Sequence, residues 1–164
     1  MFQFRHPTLI VIVGFIWLAI GLVLLLLGIH FLIDMSPALV HAEGSSLVKW
    51  LAGKVGSGDN AISLLLAVGL FIGYMKGRYV LGRAAHRIAV RIVALPNPVS
   101  LSRVFNKGYY ILIASMIGLG MLIKVLGVPP DVRGTIDLAI GSALINGAFI
   151  YFRYALTVRR GFPI

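Results

Sequence analysis

KGRYVLGRAAHRIAVRIVALPNPVSLSRVFNK, residues 76–107, decides how this chain is to be read. It holds seven of the fifteen Lys and Arg residues: Lys76, Arg78, Arg83, Arg87, Arg91, Arg103 and Lys107. It holds no Asp or Glu, and long apolar runs flank it on both sides. A basic segment between hydrophobic runs stays in the cytoplasm while its neighbours enter the bilayer. Turned at about 100° per residue, Lys76, Tyr79, Arg83, His86, Arg87 and Arg91 share one helical face. Leu81, Ala84, Ala85, Ile88, Ile92 and Leu95 share the other, and Val80 and Val90 break the pattern. The stretch is therefore expected to carry a membrane helix out into an amphipathic extension lying at the interface. Pro96-Asn97-Pro98 should end it, because proline removes a donor and restricts the residue before it.

Outward from this stretch the chain is apolar. Hydrophobic residues make up 59% of the 164 and charged residues 12%, with a mean hydropathy of +0.97. A soluble domain carries roughly twice that share of charge, so the chain falls in the membrane class. A net charge of +10 on a soluble protein would point to nucleic acid. Here it points to an anionic cytoplasmic leaflet, and four apolar runs exclude a soluble nucleic-acid binder. With no cysteine there is no disulfide, thiolate metal site or thiol nucleophile.

The expected fold is all-α: a four-transmembrane-helix bundle forming a single membrane domain over 1–164. The first span covers 8–33, followed by a periplasmic loop at 34–60. The second covers 61–81 and leads into the basic cytoplasmic segment at 82–107. The third covers 108–127, a short loop takes 128–134, the fourth span covers 135–156, and a cytoplasmic tail takes 157–164. The first run exceeds the apolar core of a signal peptide, about 7–15 residues, so it reads as a retained helix. Within the first loop, Leu47 to Leu51 reads as an interfacial turn anchored by Trp50. The uncharged parts of runs two to four are only about 15–16 residues, or about 24 Å of helix. Lys76, Lys124, Asp137 and Arg153 should then sit near the boundary and snorkel.

Charge sets the threading. Head, middle stretch and tail hold eleven of the fifteen basic residues. Lys49, Lys54, Lys124 and Arg133 fall on the other side, with all five acids: Asp34, Glu43, Asp59, Asp131 and Asp137. Both termini are accordingly expected in the cytoplasm, with the bacterial inner membrane as the location.

Gly14, Gly21 and Gly28 recur every seven residues, Gly69 and Gly73 form a GxxxG, and Gly141 lies in the fourth run. Small residues at such spacings let helices approach closely. The second and fourth runs also align at an offset of 74: Ile62, Leu64, Leu70 and Gly73 match Ile136, Leu138, Leu144 and Gly147. Arg78-Tyr79 parallels Arg153-Tyr154 one residue later in register. Two helical hairpins repeated in parallel would give this pattern, and so would coincidence among apolar residues.

Chemistry-bearing groups are sparse. Thr135, Ser142, Asn146 and Arg153 share one face of the fourth run, and Asp137 lies on the opposite face with Gly134, Gly141 and Ala148. Ser142, Asn146 and Asp137 are the candidates for a polar path, since polar groups in a bilayer are costly. As interhelical hydrogen bonds they would contribute about 0.6 kcal/mol each, and that structural role is favoured. Asp137 also suits a helix N-terminal dipole, or a pairing with Arg133 or Lys124. His30, without an i+4 partner, is weak evidence for haem or metal, and no cofactor or metal is expected. The paired acids or metal cluster that an enzyme would need are missing.

The expected function is thus a non-enzymatic structural or accessory subunit, packing into a homo-oligomer or a larger membrane complex. Lys76, Arg83, Arg87, Arg91, Arg103 and Lys107 are the residues expected to contact anionic lipid or an acidic partner. A small oligomeric transporter or channel is the alternative, though the sequence lacks a membrane-embedded glutamate in its first helix, the hallmark of small multidrug transporters.

Overall fold

Residues His6–Ile33 form α1, with Pro7 in its first turn, where its missing N–H leaves no bond unmade. The computed structural model describes residues 3–33, 47–96, 99–100, 114, 118, 120–123 and 125–162. After α1 come α2 (Leu47–Val55), α3 (Gly58–Lys76), a π turn (Gly77–Leu81), α4 (Gly82–Val93) and α5 (Pro130–Arg159). From Gly58 to Val93 the helix is continuous over 36 residues. Two short strands, β1 (Gln3–Phe4) and β2 (Val99–Ser100), pair antiparallel with Phe4 opposite Val99.

Three helices are long and apolar enough to cross a membrane: His6–Ile33, Gly58–Val93 and Pro130–Arg159. Their outward faces suit that solvent. Phe15, Val23 and Leu26 of α1 and Leu64, Val68 and Phe71 of α3 are exposed, large apolar side chains of the kind that face lipid. The third expected span, and with it the second of the two repeated hairpins, lies mostly outside the described residues. So do Asp34, Glu43, Arg103 and Lys107.

The helices start earlier than the sequence reading has them: α1 at His6 instead of position 8, α3 at Gly58 instead of 61 and α5 at Pro130 instead of 135. Leu47 to Leu51, read as an interfacial turn inside a loop, begins α2, which runs to Val55. One carboxylate, that of Asp131, links the starts of α2 and α5. Asp131 is fully buried, and its Oδ2 accepts the backbone N–H of Val48 at 2.9 Å while Oδ1 accepts that of Val132 at 2.9 Å. An acid at a helix N-terminus satisfies orphan donors and complements the dipole, and here one side chain does so for two helices. Gly56 makes the turn into α3 with a φ of +89°, a conformation that favours glycine. Ser57 then caps α3, its Oγ accepting the Asn60 N–H at 3.2 Å.

Helix α5 is the centre of the bundle, and its longest interface is with α1. Gly14 meets Tyr151 and Phe152, Gly21 meets Gly141 and Ile145, and Gly28 meets Gly134 and Leu138. As numbers rise on α1 they fall on α5, so the two run antiparallel. The contact is glycine against glycine. A Cβ added at Gly21 would lie 2.9 Å from the Gly141 carbonyl oxygen, and one at Gly134 would lie 3.1 Å from that of Gly28. A seven-residue period keeps such a stripe facing its partner when helices coil left-handed.

The other face of α5 holds α3 by a different rule. Gly69, Gly73 and Gly77, four apart, meet Leu138, Ala139 and Ala143 in rising order, so α3 and α5 run parallel. The core falls into two clusters. One joins Leu32, Val48, Ala61, Ile62, Leu65 and Leu138 beneath α2. The other joins Leu9, Ile10, Val13 and Trp17 with Ala85, Ala89 and Ile92 of α4, and with Leu144, Ala148, Tyr151 and Ala155. The basic extension therefore stays packed against α1 and α5 through its alanine face.

Candidate anionic-lipid groove

The basic segments converge on one end of the bundle. The His6 Nε2 donates to the Leu95 carbonyl at 2.8 Å, tying the start of α1 to the end of α4. Arg5 and Arg159 line a common crevice with Thr8, Phe152 and Leu156. Asp59 and Asp131 lie in the first turns of α3 and α5, at the opposite end, and Asp137 follows about two turns into α5.

At the basic end a groove of about 870 Å³ opens between the π turn with α4 on one side and the last turns of α5 on the other. Four guanidinium groups line it: Arg78, Arg83 and Arg87 from the first wall and Arg153 from the second. Tyr79, His86, Tyr154 and Thr157 add polar lining, Gly82 and Ile150 its floor, and no acid is among the described residues that line it. The His86 and Tyr154 rings lie 5.6 Å apart across it. Arg78 Nη1 donates to the Tyr74 hydroxyl at 3.0 Å, and Arg87 Nε to the Arg83 carbonyl at 3.4 Å. Each of these arginines keeps further donors in its fork for a ligand.

The π turn is what brings the first wall together. The N–H of Gly82 bonds the carbonyl of Gly77, five residues back. Eight residues of uninterrupted α-helix, from Gly77 to Ala85, would rotate the packing face roughly 80° past two turns. One residue absorbed by the π turn leaves about seven, or roughly 700°, so Gly77 and Ala85 both point into the bundle. Counted the same way, Arg78, Arg83 and Arg87 fall within about 80° of arc, against about 180° on an unbroken helix. Gly77 can sit at this junction because it meets the backbone of Ala143 and the Cβ of Asn146 directly.

Of the residues expected to contact lipid, Arg83 and Arg87 line the groove. Lys76 lies on another surface, in an apolar crevice of about 520 Å³ between α1 and α3 over α5, lined also by Trp17, Gly73 and Ala139. Arg91 is exposed on α4. Arg78 and Arg153 lie outside that expected set, yet both line the groove. A signal for them was present in the matched dipeptides Arg78-Tyr79 and Arg153-Tyr154, and all four residues line the groove.

The polar-path candidates have separate partners. Ser142 is buried against α3, its Oγ donating to the Leu70 carbonyl at 3.4 Å. Asn146 donates to the Ser142 carbonyl on its own helix at 3.0 Å. Asp137 faces Arg133, Oδ2 to Nε 3.7 Å, and the Arg133 guanidinium lies 5.0 Å over the Phe31 ring. His30 is exposed, its ring 6.1 Å from Phe31. Among the described residues no three His, Asp or Glu side chains gather where a metal could bind. No protein family, curated protein or solved structure matches the chain.

Proposed function

We propose that this chain is a non-enzymatic integral membrane protein of four spans that holds anionic lipid at its cytoplasmic end. The observation that carries the reading is the groove of four arginines, with no acid among its described lining residues, at one end of an apolar bundle. Anionic headgroups attract such a cluster by about 1 kcal/mol per basic residue, and Tyr79 and Tyr154 supply the amphipathic rings common at that depth.

The fourth span is supported by direction. Helices α3 and α5 run parallel, so the chain must return along the bundle between Val93 and Pro130. Helix α5 alone is about 45 Å long, and residues 108–123 are the uncharged run available for the return. Two hairpins related by an axis along the membrane normal would leave α3 and α5 parallel in this way. The clustering of Arg5, Arg78, Arg83, Arg87, Arg91, Arg153 and Arg159 at one end supports both termini in the cytoplasm, in a bacterial inner membrane.

The role as a structural or accessory subunit now rests on different ground. Gly14, Gly21, Gly28, Gly69, Gly73 and Gly141 all meet helices of the same chain, so they do not argue for a second copy. What favours a partner is the open apolar crevice beside Trp17 and Gly73.

Orientation and lipid contact are tested together. The chain has no cysteine, so single cysteines report cleanly. Lys54→Cys should react with an impermeant maleimide from outside the cell, and Arg160→Cys only after the membrane is opened. The purified protein should carry anionic lipid in excess of its share of the membrane. The reverse labelling pattern, or copurified lipid of bulk composition, would overturn the reading.

A further inference from the structure

The groove is built for more charge than one phosphate carries. We infer that its occupant is the headgroup of a membrane lipid bearing two phosphates, of the cardiolipin class, held between Arg78, Arg83 and Arg87 on one wall and Arg153 on the other. This rests on the reading of the basic end as an anionic-lipid surface and goes on to name the lipid.

Three observations point the same way. The first is stoichiometry. Four guanidiniums line one cavity with no acid among its described lining residues, and a guanidinium pairs with a phosphate through two parallel hydrogen bonds. Two phosphates with two arginines each balance the charge and use the forks. A single phosphate leaves two arginines facing each other. The second is size. The groove measures about 870 Å³, toward the upper end of the roughly 300–1,000 Å³ that enclose a whole small-molecule ligand. That is room for two phosphates and the glycerol joining them.

The third is construction. A solvated basic face only has to point outward, and an unbroken α-helix would do that. The π turn instead draws Arg78, Arg83 and Arg87 from about 180° of arc into about 80°, opposite an arginine from a different helix. Turns of this kind recur at functional sites. The source is a lipid, not a free anion. The groove lies between two helices whose continuations form the apolar bundle, and Ile150 and Tyr154 line it beside the charges. Val80 and Phe149, each next in sequence to a lining residue, are exposed apolar side chains that acyl chains can follow into the bilayer.

The test uses the purified full chain in detergent, titrated with tetraoleoyl cardiolipin or dioleoyl phosphatidylglycerol at equal phosphate and read by native mass spectrometry. The wild type should retain the two-phosphate lipid at least about tenfold more strongly. Arg78→Gln and Arg153→Gln should each weaken that binding roughly fivefold, the effect of losing about one basic contact. Lys54→Gln, at the opposite end, should not. Deleting Val80 should leave the preference standing, because an unbroken helix one residue shorter keeps Arg78, Arg83 and Arg87 within about 80° of arc, and the arginine variants cover the case in which the deletion fails to fold. Equal retention of both lipids, weakened alike by the arginine variants, would overturn this inference and leave anionic-lipid contact standing. No preference over a zwitterionic lipid would overturn both. Displacement of the lipid by equimolar inorganic pyrophosphate would reduce the site to a phosphate site and overturn the membrane source.

Discussion

Adding one methyl group at Gly141 should destabilise the bundle, and adding the same group at Gly53 should not. A Cβ at Gly141 would stand 2.5 Å from the Leu25 backbone nitrogen, 2.7 Å from the Gly21 carbonyl oxygen and 2.9 Å from the Leu25 Cα. All three are main-chain atoms, so no side chain can rotate out of the way. Restoring ordinary contact near 3.5 Å requires α1 and α5 to part by about 1 Å. A gap of about that size forfeits a quarter to a half of the attraction between facing atoms, and in lipid that attraction drives helix association. Overpacking of this kind costs roughly 1–3 kcal/mol. Gly53 lies on α2 with nothing within 4 Å of its added Cβ. There Gly→Ala should stabilise by about 0.4–1 kcal/mol through helix propensity and the unfolded chain. Unfolding in mixed micelles, followed by circular dichroism as the denaturing detergent fraction rises, measures both. Gly141→Ala should shift the midpoint down and Gly53→Ala up or not at all. A midpoint for Gly141→Ala equal to the wild type would refute the close approach of the two helices.

Other perturbations separate the remaining contacts. Asp131→Ala strips a buried acceptor from the Val48 and Val132 N–H groups; a loss of about 1–3 kcal/mol is expected. It should also free α2, read as a change in Trp50 fluorescence. Arg133→Gln removes both the ion pair with Asp137 and the stacking over Phe31. Its cost should be about 0.5–2 kcal/mol, and Phe31→Leu should remove much of the same energy in a double-mutant cycle. Ser142→Ala breaks one long interhelical bond to the Leu70 carbonyl and should cost about 0.6 kcal/mol. A much larger loss would mean that Ser142 does more than hold α3 to α5.

The solvent and the charge asymmetry of this protein were legible without coordinates. Apolar runs of membrane length and the clustering of arginine in residues 76–107 follow from composition alone, because burial in lipid and attraction to an anionic surface depend on residue type before they depend on shape. The seven-residue glycine spacing also announced a packing face. It could not say whose helix would fill it, since a small stripe is equally suited to a second copy and to α5. Tertiary structure settled that: Gly21 and Gly28 lie against Gly141 and Gly134 of the same chain. Asp131 read as one of several loop acids, and only the fold brought Val48, 83 residues away, to its carboxylate. The groove was hidden for a related reason. Its second wall comes from α5, distant in sequence, and its first wall depends on a π turn that shifts the helical register by one residue. Counting at a fixed turn of about 100° per residue keeps Arg83 and Arg87 together but turns Arg78 about 140° away from Arg83. The local change in winding, which the packing of Gly77 and Ala85 against α5 and its neighbours accompanies, gathers them.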